Sequence, residues 1–327
     1  MDSKGLYVLA GFVAVALVVT GSLLAIVSRG KYTHATPAAA VAEASVPAGN
    51  GAAPRPAGAD SLAAVCTAVG EPLPLDAEIR ESSGVAVSRE HPGIFWTHND
   101  SGEPLLYAVD ARGHTAGRVV VSGARVEDWE DVALAPCPAG GDCLYVADIG
   151  DNAARREFVT VYRIPEPAPG ATASAPATPI RLRYPDGAHD AEAMFVLNGA
   201  IHLVTKGESG PIAVFRAPAG ASAEVTLERV REMAPGRVDR PQRITSAAAR
   251  ADGRWIVLRT LHEAVFYPAN DLVGTGTAAP RRMDLRGLGE KQGEGIGFAP
   301  DGSIYVTSEG GGKNDPATFS RLSCTLS

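Results

Sequence analysis

The sequence predicts an all-β protein built from a repeated four-stranded sheet, and three observations lead to this fold class. Apolar residues come in short bursts that are rich in Val, Ile, Leu and Tyr and that end at Gly, Pro, Asp or Asn. The body of the chain shows no convincing helical period. The 327 residues include 36 glycines and 24 prolines, so the fold must contain many turns.

The bursts recur as a hairpin at intervals of roughly 50 residues, which is the spacing of propeller blades. Each first strand is followed by a turn that a glycine closes and then by a second strand, and two of these turns are Asp-Gly. Four antiparallel strands repeated in this way predict a β-propeller with five blades. A degenerate sixth unit at 224–243 is the alternative. The first strands begin near Ser83, Asp131, Glu192, Ser246 and Glu294.

The two ends of the predicted ring fit together. The fifth unit reaches Cys324 after only three strands, and residues 66–79 can supply the missing outer strand. This pairing would remove an open sheet edge and would bring Cys66 close to Cys324. Cys137 and Cys143 flank a Pro- and Gly-rich turn that a second disulfide can staple. Two disulfides indicate an oxidising compartment.

The N-terminal part of the chain predicts a membrane anchor followed by a tether. Residues 5–27 carry no charge and would span roughly 34 Å as a helix, enough to cross a bilayer. We therefore expect an anchor in 1–31, a disordered Ala-, Pro- and Gly-rich linker in 32–65 and the propeller in 66–327. The cysteines favour a single-pass membrane protein with an extracytoplasmic propeller, whereas the positive charges that flank the span mildly favour the opposite orientation. Cleavage of the apolar segment, which would give a secreted protein, is the alternative.

Polar side chains gather at the predicted strand ends that share one face of the ring. First strands line the axis of a propeller, so their starts and the ends of the second strands converge there. Converging carboxylates repel one another and favour a cation, and oxygen ligands suit Ca²⁺ best. The alternative for each carboxylate is a structural bond to backbone amides. The predicted metal ligands are Glu81, Asp128, Asp131, Asp148, Asp151, Asn152, Glu192 and Glu294.

The same face offers groups for hydrolysis. Glu130 or Asp151 would activate water, and Lys206 or Arg259 would hold negative charge, although both cations can instead pair with carboxylates. The net charge of −7 argues against a nucleic-acid partner. Six further residues are predicted to contribute to binding: His98, Asn99, Asp100, His189, Asp190 and Glu309.

Six stretches of the sequence carry distinctive motifs: 82–88, 96–102, 128–131, 148–152, 189–193 and 205–206. Together they resemble a mostly uncharacterised family of exported bacterial β-propellers, of the bacterial cytoplasmic membrane or secreted, related to esterase-like and phytase-like proteins. The resemblance implies a propeller fold and an extracytoplasmic location. Alkaline phytases, which are more distant, cleave phosphate esters with Ca²⁺, and gluconolactonase-type lactonases hold one Ca²⁺ with Glu, Asn and Asp. Glu81, Asn152 and Asp148 match that lactonase set by residue type.

Two functions follow from these patterns. The first is a membrane-tethered, Ca²⁺-dependent hydrolase of esters, lactones or phosphoesters. The second is a non-catalytic binding or scaffold propeller of the cell envelope, with a small-molecule or envelope ligand. The fold is compatible with both.

Overall fold

The computed structural model describes residues 65–312 and 315–326. The predicted membrane anchor and nearly all of the predicted linker lie outside these residues. Within the described ranges, no helix is long and apolar enough to cross a membrane.

The described chain is almost entirely β-structure. The only α-helix, α1, is one short turn at Ala269–Val273 in the described part of the chain, and 3-10 turns occur at Arg240–Gln242 and Arg286–Leu288. The strands in chain order are β1 Cys66–Pro74, β2 Ser82–Val87, β3 Ile94–Asn99, β4 Leu105–Asp110, β5 Thr115–Val120, β6 Trp129–Pro136, β7 Asp142–Asp148, β8 Val159–Pro165, β9 Thr178–Arg183, β10 Ala191–Leu197, β11 Ala200–Thr205, β12 Ile212–Arg216, β13 Val225–Thr226, β14 Glu228–Ala234, β15 Ile244–Ala249, β16 Trp255–Thr260, β17 Glu263–Pro268, β18 Arg281–Asp284, β19 Gln292–Phe298, β20 Ile304–Glu309 and β21 Thr318–Cys324.

These strands form the five blades of a propeller, which confirms the predicted fold class. The blades are β2–β5, β6–β9 with β13, β10–β12 with β14, β15–β18, and β19–β21 with β1. The first strand of each blade lies next to the axis. The segment considered as a sixth unit instead supplies β13 and β14 to the second and third blades. Because β13 runs parallel to β9, the connection within the third blade covers the outer edge of the second.

The ring closes as the sequence predicts. Strand β1 pairs antiparallel with β21, and Cys66 lies opposite Cys324. A disulfide joins these two cysteines, and a second disulfide joins Cys137 to Cys143 across the turn between β6 and β7. Both predicted pairings are confirmed. The first one links residues 258 positions apart and so ties the start of the propeller to its end.

Apolar side chains fill the spaces between neighbouring blades. Trp96 and Trp129 are fully buried in the cluster between the first two blades. Their indole nitrogens are satisfied, because Trp96 Nε1 donates to Glu166 Oε1 at 2.8 Å and Trp129 Nε1 donates to the carbonyl of Arg125 at 2.9 Å. Together with four similar clusters, the Trp96 cluster makes a ring of five, one between each pair of neighbouring blades.

Each axial strand contains a β-bulge close to its start. In β6, Trp129 pairs with Asp148 while Asp131 pairs with Ala147, so Glu130 is the extra residue. The same count leaves Glu192 extra in β10 and Thr245 extra in β15. Strands β2 and β19 gain one residue in the intervals 82–85 and 293–296. A bulge redirects a side chain away from the regular face of its strand, and these five lie at equivalent places around the axis.

Candidate functional site

The bulged ends of the axial strands surround an open acidic pocket with a volume of about 330 Å³. Every blade contributes to it, and six of its side chains are carboxylates while three are cationic. No histidine or cysteine lines it. The lining residues are Ser83, Asp100, Asp128, Glu130, Asn152, Glu192, Lys206, Arg240, Arg243, Thr245, Leu261, Gln292, Glu294 and Glu309.

Three buried glutamates form the deepest part of the acidic pocket. Burial raises the pKa values of Glu130 and Glu294 well above the usual range, and repulsion from Glu192 adds to this effect. Burial also raises the pKa of Glu192 to about 7, although the ion pair with Lys206 opposes the increase. The fold therefore holds three like charges where their ionisation is costly.

The carboxylates near the mouth are perturbed in the same direction. Burial, followed by a hydrogen bond and repulsion from Glu81, raises the pKa of Asp100 to about 6. Burial together with the charges of Asp100 and Glu81 raises the pKa of Glu309 to about 7. Burial and the charge of Asp190 raise the pKa of Asp128. A bound cation would relieve this repulsion throughout the acidic pocket.

The cationic side chains lie on one wall, which the end of β11 and the loop before β15 form. Lys206 Nζ makes an ion pair with Glu192 and lies 3.5 Å from Glu208 Oε2. Burial lowers the pKa of Lys206, but the attraction of Glu192 and other acidic groups outweighs it, and the pKa is raised. Arg243 Nη1 lies 2.7 Å from Glu208 Oε1, whereas Arg240 Nη2 donates to the neutral amide of Gln292 at 3.1 Å.

Gly150 allows the backbone to approach the acidic pocket closely. A Cβ atom at this position would collide with the carboxylates of both Asp128 and Glu130. Asn152, two residues later, places its Nδ2 3.4 Å from Asp128 Oδ2. The 148–152 loop therefore packs directly against two carboxylates of the acidic pocket.

The structure brings many of the predicted site residues together. Four predicted metal ligands line the acidic pocket, and Glu81 lies beside it, where Ser101 Oγ donates to Glu81 Oε2 at 2.9 Å. Their roles as ligands, bases or binding groups stay predictions. The predicted residues that line the acidic pocket are Asp128, Asn152, Glu192 and Glu294 as ligands, Glu130 and Lys206 as catalytic groups, and Asp100 and Glu309 as binding groups.

Asp148 and Asp151 do not face a common ion site, contrary to expectation. Asp148 Oδ1 accepts a hydrogen bond from the amide of Asp128 and another from Arg156 Nη1, each at 3.0 Å. Asp151 Oδ2 accepts the amides of Arg155 and Arg156, each at 2.7 Å. Both carboxylates are used to fold the loop, because consecutive amides after a turn need acceptors.

Two more predicted acidic residues lie away from the acidic pocket. Asp131 is completely buried on the axis beneath it, and its carboxylate accepts hydrogen bonds from the protein only. Asp190 is 4% exposed, and its Oδ1 accepts the amide of Asp151 at 2.9 Å. Neither residue lines the acidic pocket, and their predicted roles, a metal ligand for Asp131 and a binding group for Asp190, stay predictions.

Arg259, predicted to hold negative charge, does not line the acidic pocket. Its side chain is completely buried, forms an ion pair with Glu290, and donates to the carbonyls of Gly295 and Thr307 at 2.7 and 2.9 Å. Its charge is thus used between the fourth and fifth blades and is not available to an anion in the acidic pocket.

The remaining predicted binding residues have structural environments. Asn99 Oδ1 accepts the amides of Arg80 and Glu81, each at 3.0 Å. His98 is completely buried with its ring edge toward Trp129, and burial lowers its pKa to about 4. His189 Nε2 lies 2.8 Å from Asp186 Oδ1, and its ring packs against Tyr184.

Sequence reasoning missed part of the cationic wall. Arg240, Arg243 and Gln292 were not among the expected residues, although all three line the acidic pocket. A signal for two of them was present, because Arg237, Arg240 and Arg243 recur at every third position before β15.

A second acidic group lies elsewhere on the propeller. Glu90, Asp142 and Glu166 place carboxylate oxygens within 4.8 Å of one another. Arg89 Nε already donates to Asp142 Oδ2 at 2.8 Å, and Trp96 holds Glu166. These bonds give the group a structural explanation.

Comparisons with known proteins support the fold alone. Neither a scan against protein families nor a search of curated sequences finds a match. Solved propellers are similar in architecture, at TM-scores below 0.5, and such similarity carries no argument about the reaction. They include a PQQ-bound aldose sugar dehydrogenase from Streptomyces coelicolor (TM-score 0.43, 11% identity, 81% of this chain and 97% of that one), a calcium-binding regucalcin from Agrobacterium tumefaciens (0.41, 13%, 79% and 96%) and a gluconolactonase from Xanthomonas campestris (0.41, 12%, 82% and 99%).

Proposed function

We propose that the acidic pocket binds Ca²⁺ and hydrolyses an ester, lactone or phosphoester. One observation carries this proposal: the bulges of β6, β10 and β19 direct Glu130, Glu192 and Glu294 into one pocket where burial raises all three pKa values. Such an arrangement is costly unless a cation or shared protons compensate the charges.

The donor set fits a hard divalent cation. The acidic pocket offers carboxylate oxygens and the amide oxygen of Asn152, and no nitrogen or sulfur ligand of the histidine or cysteine type lines it. Carboxylates on separate strands suit the variable coordination of Ca²⁺ better than the strict octahedron of Mg²⁺. Asp128, Glu192 and Glu294 would hold the ion after their side chains move together, because their oxygens do not all lie within 4.8 Å of one another.

The reaction uses residues of the acidic pocket in distinct roles. The bound ion would polarise the scissile oxygen of the substrate. Glu130, whose pKa burial raises well above the usual range, takes the proton of the attacking water at a carboxylate oxygen. Lys206 stays protonated because its pKa is raised, and it stabilises the negative charge that develops on the substrate. Arg240 and Arg243 face the mouth from the same wall and orient the substrate.

The test is calcium binding followed by hydrolysis. We expect calorimetry to detect Ca²⁺ binding to the full chain and a rise in melting temperature with added Ca²⁺. We expect Ca²⁺-dependent, EDTA-sensitive turnover of p-nitrophenyl acetate, a δ-lactone or p-nitrophenyl phosphate. Glu130→Gln should lower kcat by about 10²–10⁴-fold, while Glu103→Gln on an exposed outer loop should not change it. Absence of calcium binding would contradict the proposal.

A second function has its own support. Lys206 already neutralises part of the acidic pocket through its ion pair with Glu192, which suits a site that binds without reacting. In that case the propeller is a binding or scaffold domain of the cell envelope. Calcium binding without turnover of any of the three substrate classes would favour this alternative.

We also propose that the propeller works outside the cytoplasm, tethered to the membrane by residues 1–31. Two disulfides support an oxidising compartment. Membrane fractionation of cells, with and without protease added from the outside, tests both the tether and its orientation. Recovery of the chain in the cytosol with free thiols would contradict this location.

A further inference from the structure

Asp131 occupies the axis directly beneath the acidic pocket. It is completely buried, and its side chain crosses from the second blade to the third and fourth. Oδ1 accepts the amide of Val132 at 2.9 Å, and Oδ2 accepts the amides of Met194 at 2.9 Å and Ala247 at 3.2 Å. Ser246 Oγ donates to both carboxylate oxygens, at 3.1 and 3.2 Å.

The fifth blade joins the same network through the serine. The amide of Ile296 donates to Ser246 Oγ at 3.1 Å, so the Ser246 hydroxyl links the Asp131 carboxylate to β19 by two successive hydrogen bonds. Four of the five blades are therefore connected around one carboxylate. Buried hydrogen-bond networks of this kind are strongly stabilising only when every member is satisfied.

The donors of this network have a regular relation to the bulges. Val132, Met194, Ala247 and Ile296 each follow the bulge-region residue that lines the acidic pocket by two positions. The corresponding pocket residues are Glu130, Glu192, Thr245 and Glu294. The carboxylate accepts three of these amides directly and is linked to the fourth through Ser246 Oγ, so it fixes the strand positions from which the pocket side chains project.

Small residues leave space for the carboxylate. Gly84 and Gly295 stand beside Asp131 and Ser246 in the ring of axial strands. A Cβ at Gly84 would lie 2.5 Å from the nitrogen of Val132 and 2.9 Å from Cα of Asp131. The axis therefore accommodates one acidic side chain and little else at this level.

We propose that Asp131 is the positioning residue of the acidic pocket: its buried carboxylate is the central acceptor that sets the bulges and so directs Glu130, Glu192 and Glu294 into the same pocket. The network itself is independent of the proposed function. Only the calcium readout described below rests on it.

A side chain with acceptors at both terminal atoms suits this position better than an amide of the same shape. Both oxygens receive donors, so any orientation of an asparagine amide would place its NH₂ group against a backbone N–H or the serine hydroxyl. Asp131→Asn should consequently disturb the network even though the shape is preserved. Asp131→Ala should leave a cavity lined by amide donors, which formate can enter.

The first experiment measures rescue by a small anion. We expect the melting temperature of full-length Asp131→Ala to rise with added sodium formate and to rise less with sodium chloride at equal ionic strength. The unmutated chain should show no formate-specific rise. This readout does not require calcium. If Asp131→Ala does not fold, Ser246→Ala replaces it, and its melting temperature should fall because the amide of Ile296 loses its acceptor and Asp131 loses a donor.

The second experiment separates positioning from general stability. Asp131→Asn should weaken Ca²⁺ binding by about 10- to 100-fold, as loss of a group behind metal ligands does. Asp252→Asn is the matched control, because Asp252 pairs with Arg250 and Arg254 at the turn between β15 and β16, away from the acidic pocket, and the variant should lose stability without losing calcium affinity. Unchanged melting and unchanged calcium affinity in Asp131→Asn would overturn the inference. If the unmutated chain binds no calcium, the proposed function fails while formate rescue still decides the role of Asp131.

Discussion

Arg156 Nη1 lies 3.0 Å from Asp148 Oδ1, and the same nitrogen donates to the carbonyl of Gly150 at 2.8 Å. The pair is largely buried, with side-chain exposures of 11% and 4%. Arg156 thus holds the 148–152 loop from behind and presents Gly150 and Asn152 to the acidic pocket. Asp148, which the sequence predicts to be a metal ligand, forms a structural ion pair with Arg156.

Asp148→Asn should lower stability and spare the cation site. The substitution keeps the shape but removes the charge that Arg156 faces, and we expect a loss of about 2–3 kcal/mol in the free energy of unfolding. Urea denaturation measures it. The calcium-dependent rise in melting temperature should persist. If the rise disappeared without loss of stability, Asp148 would be a calcium ligand as the sequence predicts.

Gly150→Ala should damage the acidic pocket from its backbone side. The added methyl group would meet the carboxylates of Asp128 and Glu130, so both must move. We expect calcium affinity to fall at least as much as in Asp128→Asn, measured by calorimetry. Gly287→Ala is the matched control, since a Cβ there meets no atom within 4 Å. Equal calcium affinity in the two variants would show that the close approach at Gly150 is unimportant.

The fold was accessible from the sequence because its signals are local and repeated. Each hairpin turn ends in a glycine, and all five of these glycines adopt positive φ, which other residues rarely do. They are Gly93 at 84°, Gly141 at 71°, Gly199 at 75°, Gly253 at 70° and Gly302 at 83°. Ring closure also followed from the sequence, because the missing strand of the fifth blade and the lone Cys66 needed partners.

The site could be predicted only in part, because the periodicity of a strand does not show where a bulged side chain points. A bulge shifts one residue out of alternation, and the register of β6 against β7 decides that Glu130 enters the acidic pocket while Asp131 turns down the axis. In the sequence alone, the neighbouring acidic residues Glu130 and Asp131 look equivalent. The hydrogen bonds that Asp148 and Asp151 accept were not predictable for a different reason, since their backbone amide donors become neighbours only in the folded turn.

The disulfide between Cys66 and Cys324 should contribute strongly to stability. It closes a loop of 258 residues, and a cross-link over such a loop is worth up to about 5 kcal/mol in the chain-entropy description. We expect Cys66→Ser to lower the urea midpoint more than Cys137→Ser, whose disulfide closes only six residues. Peptide mapping without reduction should recover both pairs. Equal effects of the two substitutions would indicate that ring closure depends on strand pairing alone.

The acidic pocket should make stability depend on pH in a direction that calcium reverses. The pKa values of Glu192 and Glu309 are raised to about 7 in the folded protein, above their usual range near 4.5, so the folded state binds more protons than the unfolded state around neutral pH. Without metal, the stability from this protonation is complete at low pH and is lost as pH rises through about 7. Buried His98 and His202, whose pKa values are lowered to about 4, oppose this trend only below about pH 6.5.

We therefore expect the free energy of unfolding in EDTA to fall between pH 6.5 and 8, as urea titrations at several pH values would measure. Saturating Ca²⁺ should flatten or invert the slope, because the ion competes with protons for the same oxygens and binds better as they ionise. Glu192→Gln should reduce the slope in EDTA, since an amide does not titrate. Glu103→Gln, on the exposed outer loop, should leave it unchanged. A stability that stays level or rises over this range without metal would mean that these carboxylates are already compensated within the fold.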